Sequence, residues 1–413
     1  MLRNNRLFFN NKSLIITVFT VAIPALLQLL YIRYVSYEVD PNIFGNFVLL
    51  VTFASAMSAI FLTIPATAFT RFFNEANSRV SHINEFRSLM LPINIVSSIA
   101  VIAYSFLMPQ FDFYTLLLVY LFILLQNNTS LNRQVILQSL ERKKYFFVTL
   151  LEKSSKFIFP ILFFYFYRSL NSLLEGLVVG SIVLTILLTF YNKKYKFKFI
   201  FHVKRLKKYF FYAYPIIFTS VFSWIIVFSD RYFINYYLDP DSVGIYALLA
   251  QVAAFTSLLN SVFSMYVNPI IYKLYSQDKN AGIKKLISYI WLLLGATILL
   301  LIVVLSIPKT YFSILLNPEV VENNYITLLV LVVGSIFSVI QNALSLFFTL
   351  LKRLHILGYF WFFAAVLNLF GNTMIQDYGM IAAAISTCLA YLFVVIANLV
   401  WITLNSKKIK YPD

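Results

Sequence analysis

DPDSVGIYALL (239–249) repeats DPNIFGNFVLL (40–50) at an offset of 199 residues along the chain. Pro and Gly occupy the same two positions in both copies, and each copy lies between a tyrosine-rich apolar segment and another apolar segment. A strongly basic loop, 192–208, separates the copies. Similarity at an offset of about half the chain indicates a repeat of whole structural halves. We therefore predict two halves of similar architecture, joined by the basic loop.

Both halves are predicted to lie in a membrane. Of the 413 residues, 61% are hydrophobic and only 12% are charged, which is too apolar for a soluble chain of this length. Apolar runs of about 20 residues, the length that crosses a bilayer as a helix, recur from end to end. The predicted fold class is an all-α polytopic membrane protein with about 12 transmembrane helices in two six-helix lobes. The first lobe is predicted at 1–200, including part of the basic loop, and the second at 201–413.

The predicted spans differ in how clearly the sequence marks them. They are 13–37, 43–69, 88–108, 112–138, 145–167, 172–191, 209–237, 243–268, 287–307, 324–349, 356–376 and 379–404. The first follows a basic segment and continues without a small-residue cleavage site, so we interpret it as a membrane helix and not as a signal peptide. The fifth is the weakest, because it holds three charged residues. It is kept because the basic segments before it and after span six must face the same side, and 157–191 is too short for two spans.

The net charge of +17 reflects the membrane topology. Most of the 33 Lys and Arg residues lie in alternate loops, which the positive-inside rule places in the cytoplasm together with both termini. These basic segments are the N-terminus (Arg3, Arg6, Lys12), 70–87, 142–144, 192–208, 273–285, 352–353 and the C-terminus (Lys407, Lys408, Lys410). The basic excess therefore predicts membrane orientation and contact with lipid headgroups, and not nucleic-acid binding.

Span seven carries an acid–base pair, Asp230 and Arg231, late in an apolar helix. Charges at membrane depth are costly and often functional. Helical spacing places Trp224, Arg231 and Asn235 on one polar face. Arg33 holds nearly the equivalent position in span one. The alternative interpretation is that Arg231 extends to the membrane interface, about two turns away, since long basic side chains reach water in this way.

Spans four and five also contain polar residues. QNNTSLNRQVILQS (126–139) carries Asn128, Asn132 and Arg133 around most of a helix. Such a segment must face water or polar partners, or else span four ends near residue 131. In span five, Glu152 and Lys156 are spaced to pair as i, i+4, which leaves Lys153. Lys153 either faces an anion or a watery cavity, or reaches to the cytoplasmic surface.

Positive charge predominates inside the predicted spans. The basic residues there are Arg33, Arg133, Lys153, Lys156 and Arg231, against two acids, Glu152 and Asp230. Such a charge balance favours an anionic ligand, above all a phosphate, because Arg offers paired planar donors. The chain has none of the HExxH, CxxC, P-loop or GxSxG motifs, and its external loops are short. We therefore expect no metal, no cofactor and no enzymatic activity.

The stretch SDRYFINYYLDPDSVGIYALLAQ (229–251) resembles the seventh-span region of Wzx-type polysaccharide flippases. These belong to the multidrug/oligosaccharidyl-lipid/polysaccharide exporter superfamily. YPIIFTSVFSW (214–224) and NPIIYKLYSQ (268–277) are similar to that family as well. The first half departs from the pattern, because Arg33 has no acid before it.

The resemblance implies a twelve-helix fold around a central cavity. It also implies translocation of undecaprenyl-pyrophosphate-linked oligosaccharide units, such as those of O-antigen in lipopolysaccharide biosynthesis, across the bacterial inner membrane by alternating access. Membrane lipids, a polysaccharide polymerase and assembly proteins are the expected partners. Arg33, Arg133, Lys153 and Arg231 would bind the pyrophosphate, Glu152 or Asp230 would carry a coupling proton, and Asn128, Asn132 and Asn235 would line the cavity.

Two other functions stay open at this stage. A multidrug or cation antiporter of the same superfamily is expected to have a net acidic cavity, whereas the charges inside these spans are mostly basic. A membrane polysaccharide polymerase or ligase usually needs a large external loop, and no predicted external loop here is long.

Overall fold

A computed structural model describes residues 11–73, 78–138, 142–193, 198–351 and 353–405, which are helical or lie in short connections. The predicted basic positions Arg3, Arg6, Lys352, Lys407, Lys408 and Lys410 lie outside these ranges, as does part of the loop 192–208. The helices are α1 (Asn11–Glu38), α2 (Pro41–Met57), α3 (Thr63–Phe72), α4 (Arg79–Leu107), α5 (Phe113–Gln138), α6 (Arg142–Tyr167), α7 (Leu170–Tyr191), α8 (Val203–Tyr237), α9 (Pro240–Ala253), α10 (Ser257–Gln277), α11 (Lys279–Ser306), α12 (Lys309–Phe312), α13 (Pro318–Leu350), α14 (Leu354–Asn372), α15 (Ile375–Tyr378) and α16 (Met380–Leu404).

The helices confirm the predicted all-α membrane fold. Each of the twelve predicted spans coincides with one long helix or with a pair of helices joined end to end. A π-helical turn, Ser58–Leu62, joins α2 to α3, and a 3-10 turn, Ala254–Thr256, joins α9 to α10. Within the described ranges, ten helices are long and apolar enough to cross a membrane. The other two spans are α6, which carries the charges noted above, and the interrupted pair α9–α10.

Four helices begin six or more residues before the apolar segments that marked them. The spans predicted to start at residues 88, 209, 287 and 324 belong to α4, α8, α11 and α13, which start at Arg79, Val203, Lys279 and Pro318. Parts of the predicted loops 70–87 and 192–208 are therefore helical. The reason is that hydropathy marks only the segment suited to lipid, whereas backbone hydrogen bonding continues through charged residues.

The sequence repeat corresponds to a structural repeat at the start of α2 and α9. Each helix begins at the proline of its copy, which suits the first helical position because proline has no N–H to satisfy. The preceding aspartates accept hydrogen bonds from the backbone just inside the helix, Asp40 from Asn42 (2.8 Å) and Asp239 from Ser242 (2.7 Å). Both copies thus place an aspartate before the helix, a proline at its first position and a buried glycine in its first turns, although Asp40 accepts from two residues ahead and Asp239 from three.

Contacts divide the chain into two compact units. One runs Ile43–Trp224, and the other contains α1 and the chain from Ile225 onward. Within the second unit α1 contacts α9 and α10, and α16 packs against α13 and α14. The lobes predicted at 1–200 and 201–413 stay a prediction.

Helices α6 and α7 approach closely at a pair of glycines. A Cβ on Gly176 would lie 2.5 Å from the carbonyl oxygen of Phe159, and one on Gly180 would lie 3.1 Å from the Cβ of Ser155. Small residues four apart allow two membrane helices to bring their backbones together. This contact fixes the part of α6 that adjoins its charged turn.

Candidate functional site

Arg133 of α5 and two residues of α6 form a charged cluster. Arg133 Nη1 lies 2.5 Å from Glu152 Oε2, and Lys156 Nζ lies 3.7 Å from Glu152 Oε1. The side chain of Glu152 is 16% exposed, so one largely buried carboxylate lies between two cations. The ion pair of Glu152 with Lys156 agrees with the i, i+4 spacing. The contact with Arg133 joins two different spans and has no signal in the sequence.

Lys153 adds to the positive charge of this cluster. Its side chain is exposed on α6, one residue after Glu152. Among the described residues, Glu152 is the one carboxylate within ion-pairing distance of Arg133 or Lys156. With Lys153 included, three cations and one anion leave a net charge of about +2. The cluster can therefore attract a further anion.

A second polar region joins α4, α5 and the end of α7. Asn132 is at its centre: its Oδ1 accepts hydrogen bonds from Arg87 Nη2 (3.0 Å) and Asn192 Nδ2 (3.4 Å). Its Nδ2 donates to Asn128 Oδ1 at 2.8 Å. A cavity of about 350 Å³, hereafter the Arg87 cavity, is lined by Arg87, Met90, Asn128, Asn132, Thr189, Asn192 and Lys193.

The structure places two predicted cavity residues, Asn128 and Asn132, at the wall of the Arg87 cavity, within the unit Ile43–Trp224. Their predicted role in lining a central transport cavity stays a prediction. Arg87, Asn192 and Lys193 were assigned to cytoplasmic loops. Arg87 lies well inside α4, and its position could have been found by extending that helix to its N-terminal cap, Ser78, whose side chain accepts a hydrogen bond from Ser81 N.

Asp230 lies at a third position, on α8. Its side chain is 2% exposed, and its Oδ1 accepts a hydrogen bond from the backbone N–H of Arg231 at 2.8 Å. The hydroxyl of Tyr246, on α9, lies near enough to interact with the Asp230 carboxylate, and it also lies near Thr387 of α16. The buried carboxylate thus lies near one residue of a neighbouring helix, Tyr246 of α9.

A network of buried amides and hydroxyls adjoins Asp230. Asn368 is fully buried; its Nδ2 donates to Ser386 Oγ (3.0 Å) and Thr387 Oγ1 (3.1 Å), and its Oδ1 accepts from Ser229 Oγ (3.2 Å). Asn372, one turn later on α14, accepts from Ser386 Oγ at 2.6 Å. Sequence reasoning missed this network, although two asparagines at i, i+4 in an otherwise apolar span were a usable signal.

Close packing at Gly371 makes the network possible. A Cβ at this position would lie 2.5 Å from the Cβ of Ser386. Glycine lets α14 approach α16 until the two asparagines reach the hydroxyls of Ser386 and Thr387.

Of the remaining predicted site residues, Arg231 adjoins Asp230, whereas Arg33 is separate from these clusters. The guanidinium of Arg231 lies 4.6 Å from the ring centroid of Phe228, and Asn235 lies one turn further along α8, partly exposed. Arg33 Nη1 donates to the backbone carbonyl of Ile314, after α12, and its guanidinium lies 5.3 Å from the centroid of Tyr37. The structure therefore brings together Arg133, Lys153 and Glu152, but it holds Arg33 against a loop.

Among the described residues, no group of three or more His, Cys, Asp or Glu side chains is arranged to hold a metal ion. The described sites provide charge and hydrogen bonding: a basic cluster, a basic cavity and one buried acid, Asp230, next to Arg231.

Comparison with known proteins gives two family matches. Residues 11–274 match the sequence model of a family described as polysaccharide biosynthesis protein. Residues 215–374 match that of MatE. None of the curated proteins compared with the chain matches it.

Solved structures of transporters share the fold. The structure titled lipid II flippase MurJ, inward closed conformation, has a TM-score of 0.72 at 16% identity, over 96% of this chain and 89% of that one. An inward-facing multidrug resistance MATE family transporter of the MOP superfamily has a TM-score of 0.76 at 9% identity, over 96% and 99% of the two chains. The MATE multidrug transporter DinF-BH in complex with R6G has a TM-score of 0.70 at 12% identity, over 100% and 98%. At these identities the likeness shows the fold alone.

Proposed function

Because the chain belongs to the polysaccharide biosynthesis protein family of the multidrug/oligosaccharidyl-lipid/polysaccharide exporter superfamily, we propose that it is a flippase for lipid-linked oligosaccharides. Its passenger is an undecaprenyl-pyrophosphate-linked repeat unit of O-antigen or a similar surface polysaccharide. The chain carries the unit across the bacterial inner membrane by alternating access, and it acts as a transporter without enzymatic chemistry.

The observation that carries this proposal is the net positive charge around Glu152. Arg133 and Lys156 already neutralise the single carboxylate, and Lys153 is exposed beside it. A pyrophosphate has the charge and the acceptor oxygens that such cations bind best. In a medium of low dielectric constant this attraction is stronger than in water. Arg33 and Arg231 would supply further positive charge along the path of the headgroup.

Asp230 is the better candidate for carrying a coupling cation. A cation at Glu152 must compete with Arg133 and Lys156, which already contact that carboxylate. Among the described residues, Asp230 has one neighbouring cation, Arg231, where Glu152 has two. It also lies beside the hydroxyl of Tyr246, and Ser229 joins the Asn368 network next to it. Loading a proton or a sodium ion there changes the charge of a buried site, and the ion biases alternating access if it binds one conformation better.

A specific observation supports a second function, multidrug or cation antiport. The MatE match covers 215–374, and two of the structures compared above are multidrug transporters. An antiporter for cationic drugs would use Asp230 as the principal binding charge, and the basic cluster at Glu152 would have no direct role. Membrane polymerase activity has no such support.

The deciding experiment deletes the gene and restores it with variants, with surface polysaccharide as the readout. Lys153→Ala and Arg231→Ala should abolish surface polymer while the protein still inserts at normal abundance. Lys309→Ala, which removes the exposed basic residue at the start of the short helix α12, is the matched control and should retain activity. Full activity of both test variants would contradict the proposal. Loss of drug resistance with intact polysaccharide would establish the antiporter instead.

Location and partners belong to the same proposal. The chain would lie in the inner membrane with both termini in the cytoplasm, in contact with membrane lipids and close to a polysaccharide polymerase and assembly proteins. Cysteine residues introduced at the two ends should react with a membrane-impermeant maleimide only after the cells are opened.

A further inference from the structure

The Arg87 cavity carries positive charge from two separate elements. Arg87 extends from α4, and Lys193 lies two residues after the end of α7. No Asp or Glu is among the described residues that line the cavity. Two cations with no acid in the same wall give a site that favours anions.

The amide groups of the cavity wall reinforce this preference. Asn132 Oδ1 accepts hydrogen bonds from both Arg87 and Asn192, and Asn132 Nδ2 donates to Asn128 Oδ1. An amide oxygen has two lone pairs, so that of Asn132 is fully occupied by protein donors. The Asn132 oxygen, which would otherwise repel an anion, is thus hydrogen-bonded to protein donors. Its bond with Arg87 also holds the guanidinium at the cavity wall.

The end of α7 does not oppose an anion strongly. The carbonyls of the last helical turn carry partial negative charge. The backbone N–H of Asn192 binds the carbonyl of Leu188 at 2.9 Å, and the Lys193 ammonium lies 5.1 Å from the ring centroid of Phe190. The positive charge of Lys193 thus lies next to the one helix end that would otherwise disfavour anions.

Ile200 and Arg205 contact α4 close to Arg87. The backbone N–H of Ile200 donates to Ser88 Oγ at 2.9 Å, and Arg205 Nη1 donates to Glu85 Oε1 at 2.7 Å. These bonds hold Ile200 and Arg205 near the cavity. They place the cavity at the end of α4 where the basic segments begin, which the charge pattern assigns to the leaflet rich in anionic lipid.

We propose that the Arg87 cavity binds a phosphate group, carried by an anionic lipid of the adjacent leaflet or free in water. The volume of about 350 Å³ lies at the lower end of the range of small-molecule pockets. It therefore has room for a phosphate and the first atoms of the alcohol that it esterifies. The inference does not depend on the proposed transport, because both cations and all three amides belong to one compact unit.

Binding to the purified full chain in a neutral detergent tests the site, with inorganic pyrophosphate as the probe in calorimetry. Arg87→Gln and Lys193→Gln should each weaken binding about tenfold, since each removes one charge-assisted contact. Binding should also weaken as salt is raised. Lys198→Gln removes an exposed basic residue close by that does not line the cavity, and it should bind as the unaltered chain does.

A second variant tests the same site without altering Arg87, so that the result holds even if the Arg87 variant misfolds. Thr189→Glu introduces a carboxylate at the exposed wall of the cavity and leaves the bond of Arg87 to Asn132 intact. It should abolish the component of binding that Lys193→Gln weakens, whereas any pyrophosphate bound at the Glu152 cluster should remain. Unchanged binding in Thr189→Glu and Lys193→Gln, or a failure of the unaltered chain to bind pyrophosphate, would overturn the proposal.

Competition identifies the source of the phosphate. Displacement of pyrophosphate by dihexanoyl phosphatidic acid, but not by dihexanoylglycerol, which lacks the phosphate, assigns the site to a lipid headgroup. Resistance to both assigns it to soluble phosphate. These binding measurements need neither a membrane potential nor the lipid-linked passenger. If the flippase assay fails while pyrophosphate still binds at the Arg87 cavity, the result contradicts the proposed transport and not the phosphate site.

Discussion

Arg133 of α5 and Glu152 of α6 form an ion pair between two predicted membrane helices, with 2.5 Å between Nη1 and Oε2. Their side chains are 28% and 16% exposed. Removing one partner of such a pair leaves the other charge largely out of water, which is more costly than removing both. The two residues are therefore energetically coupled, and the coupling can be measured.

Glu152→Gln should lower the free energy of unfolding by about 1–3 kcal/mol, because Arg133 and Lys156 lose their counter-charge. The double variant Arg133→Gln/Glu152→Gln should lose less than the sum of the single variants, with a coupling of about 1–2 kcal/mol. Denaturation in mixed micelles followed by circular dichroism measures all three. Glu322→Gln, at an exposed position of α13, is the control and should stay within about 0.5 kcal/mol. Strict additivity of the single variants would show that the pair is not coupled.

Gly176→Ala tests the close contact of α7 with α6. The new Cβ would lie 2.5 Å from a backbone oxygen, so the helices must separate, and we expect a loss of about 2 kcal/mol or more. Gly295→Ala is the matched control, since nothing lies within 4 Å of a Cβ there. That change should be neutral or stabilise by up to about 1 kcal/mol, because alanine favours a helix. Thermal unfolding in detergent measures the change in stability of both variants. Equal changes would show that α6 and α7 do not pack closely at Gly176.

The network beside Asp230 should be sensitive to a single amide. Asn368→Ala leaves the hydroxyls of Ser229 and Thr387 without the partner they have now, at a cost of about 1–3 kcal/mol. If Asp230 carries the coupling cation, the same variant should also raise the proton or sodium concentration needed for half-maximal transport in vesicles. Asn342→Ala, at an exposed position, should change neither quantity. Lower stability with unaltered ion dependence would limit the network to a structural role.

Periodicity and charge in the sequence predict the helices but not their partners. The twelve spans and the repeated turn at Pro41 and Pro240 follow from local hydropathy and turn chemistry, which act within a few residues. The contact of Arg133 with Glu152 depends on how two helices rotate about their axes. That rotation is set by packing such as the approach at Gly176, and one sequence does not reveal it.

The partner of Arg33 could not be predicted from the sequence either. The sequence makes it a near counterpart of Arg231 because of the internal repeat, and this suggests a shared role in binding the passenger. The structure adds a local partner, the carbonyl of Ile314, which lies 281 residues away in sequence. The charge of Arg33 can therefore stabilise the loop, bind the passenger or do both. The sequence does not distinguish these roles, because it does not show the contact with Ile314.

Arg33→Ala therefore tests whether the residue serves to hold the loop after α12. Three contacts attach α1 to this loop: that of Arg33 with Ile314, that of the Tyr37 hydroxyl with the carbonyl of Ser313 (2.5 Å), and that of Ser36 Oγ with the backbone N–H of Asn317 (2.7 Å). If the main role of Arg33 is to hold the loop, Arg33→Ala and Ser36→Ala should each lower the free energy of unfolding by about 1 kcal/mol. Each should also accelerate proteolysis of the loop. Both should then retain surface polysaccharide at normal abundance. If Arg33 also binds the passenger, Arg33→Ala alone should lose transport, and Ser36→Ala, which weakens the same loop without removing a charge, should remain active. The two variants weaken the same loop, but only Arg33→Ala removes a charge. Comparing them therefore separates the role of Arg33 in holding the loop from its role in binding the anionic passenger.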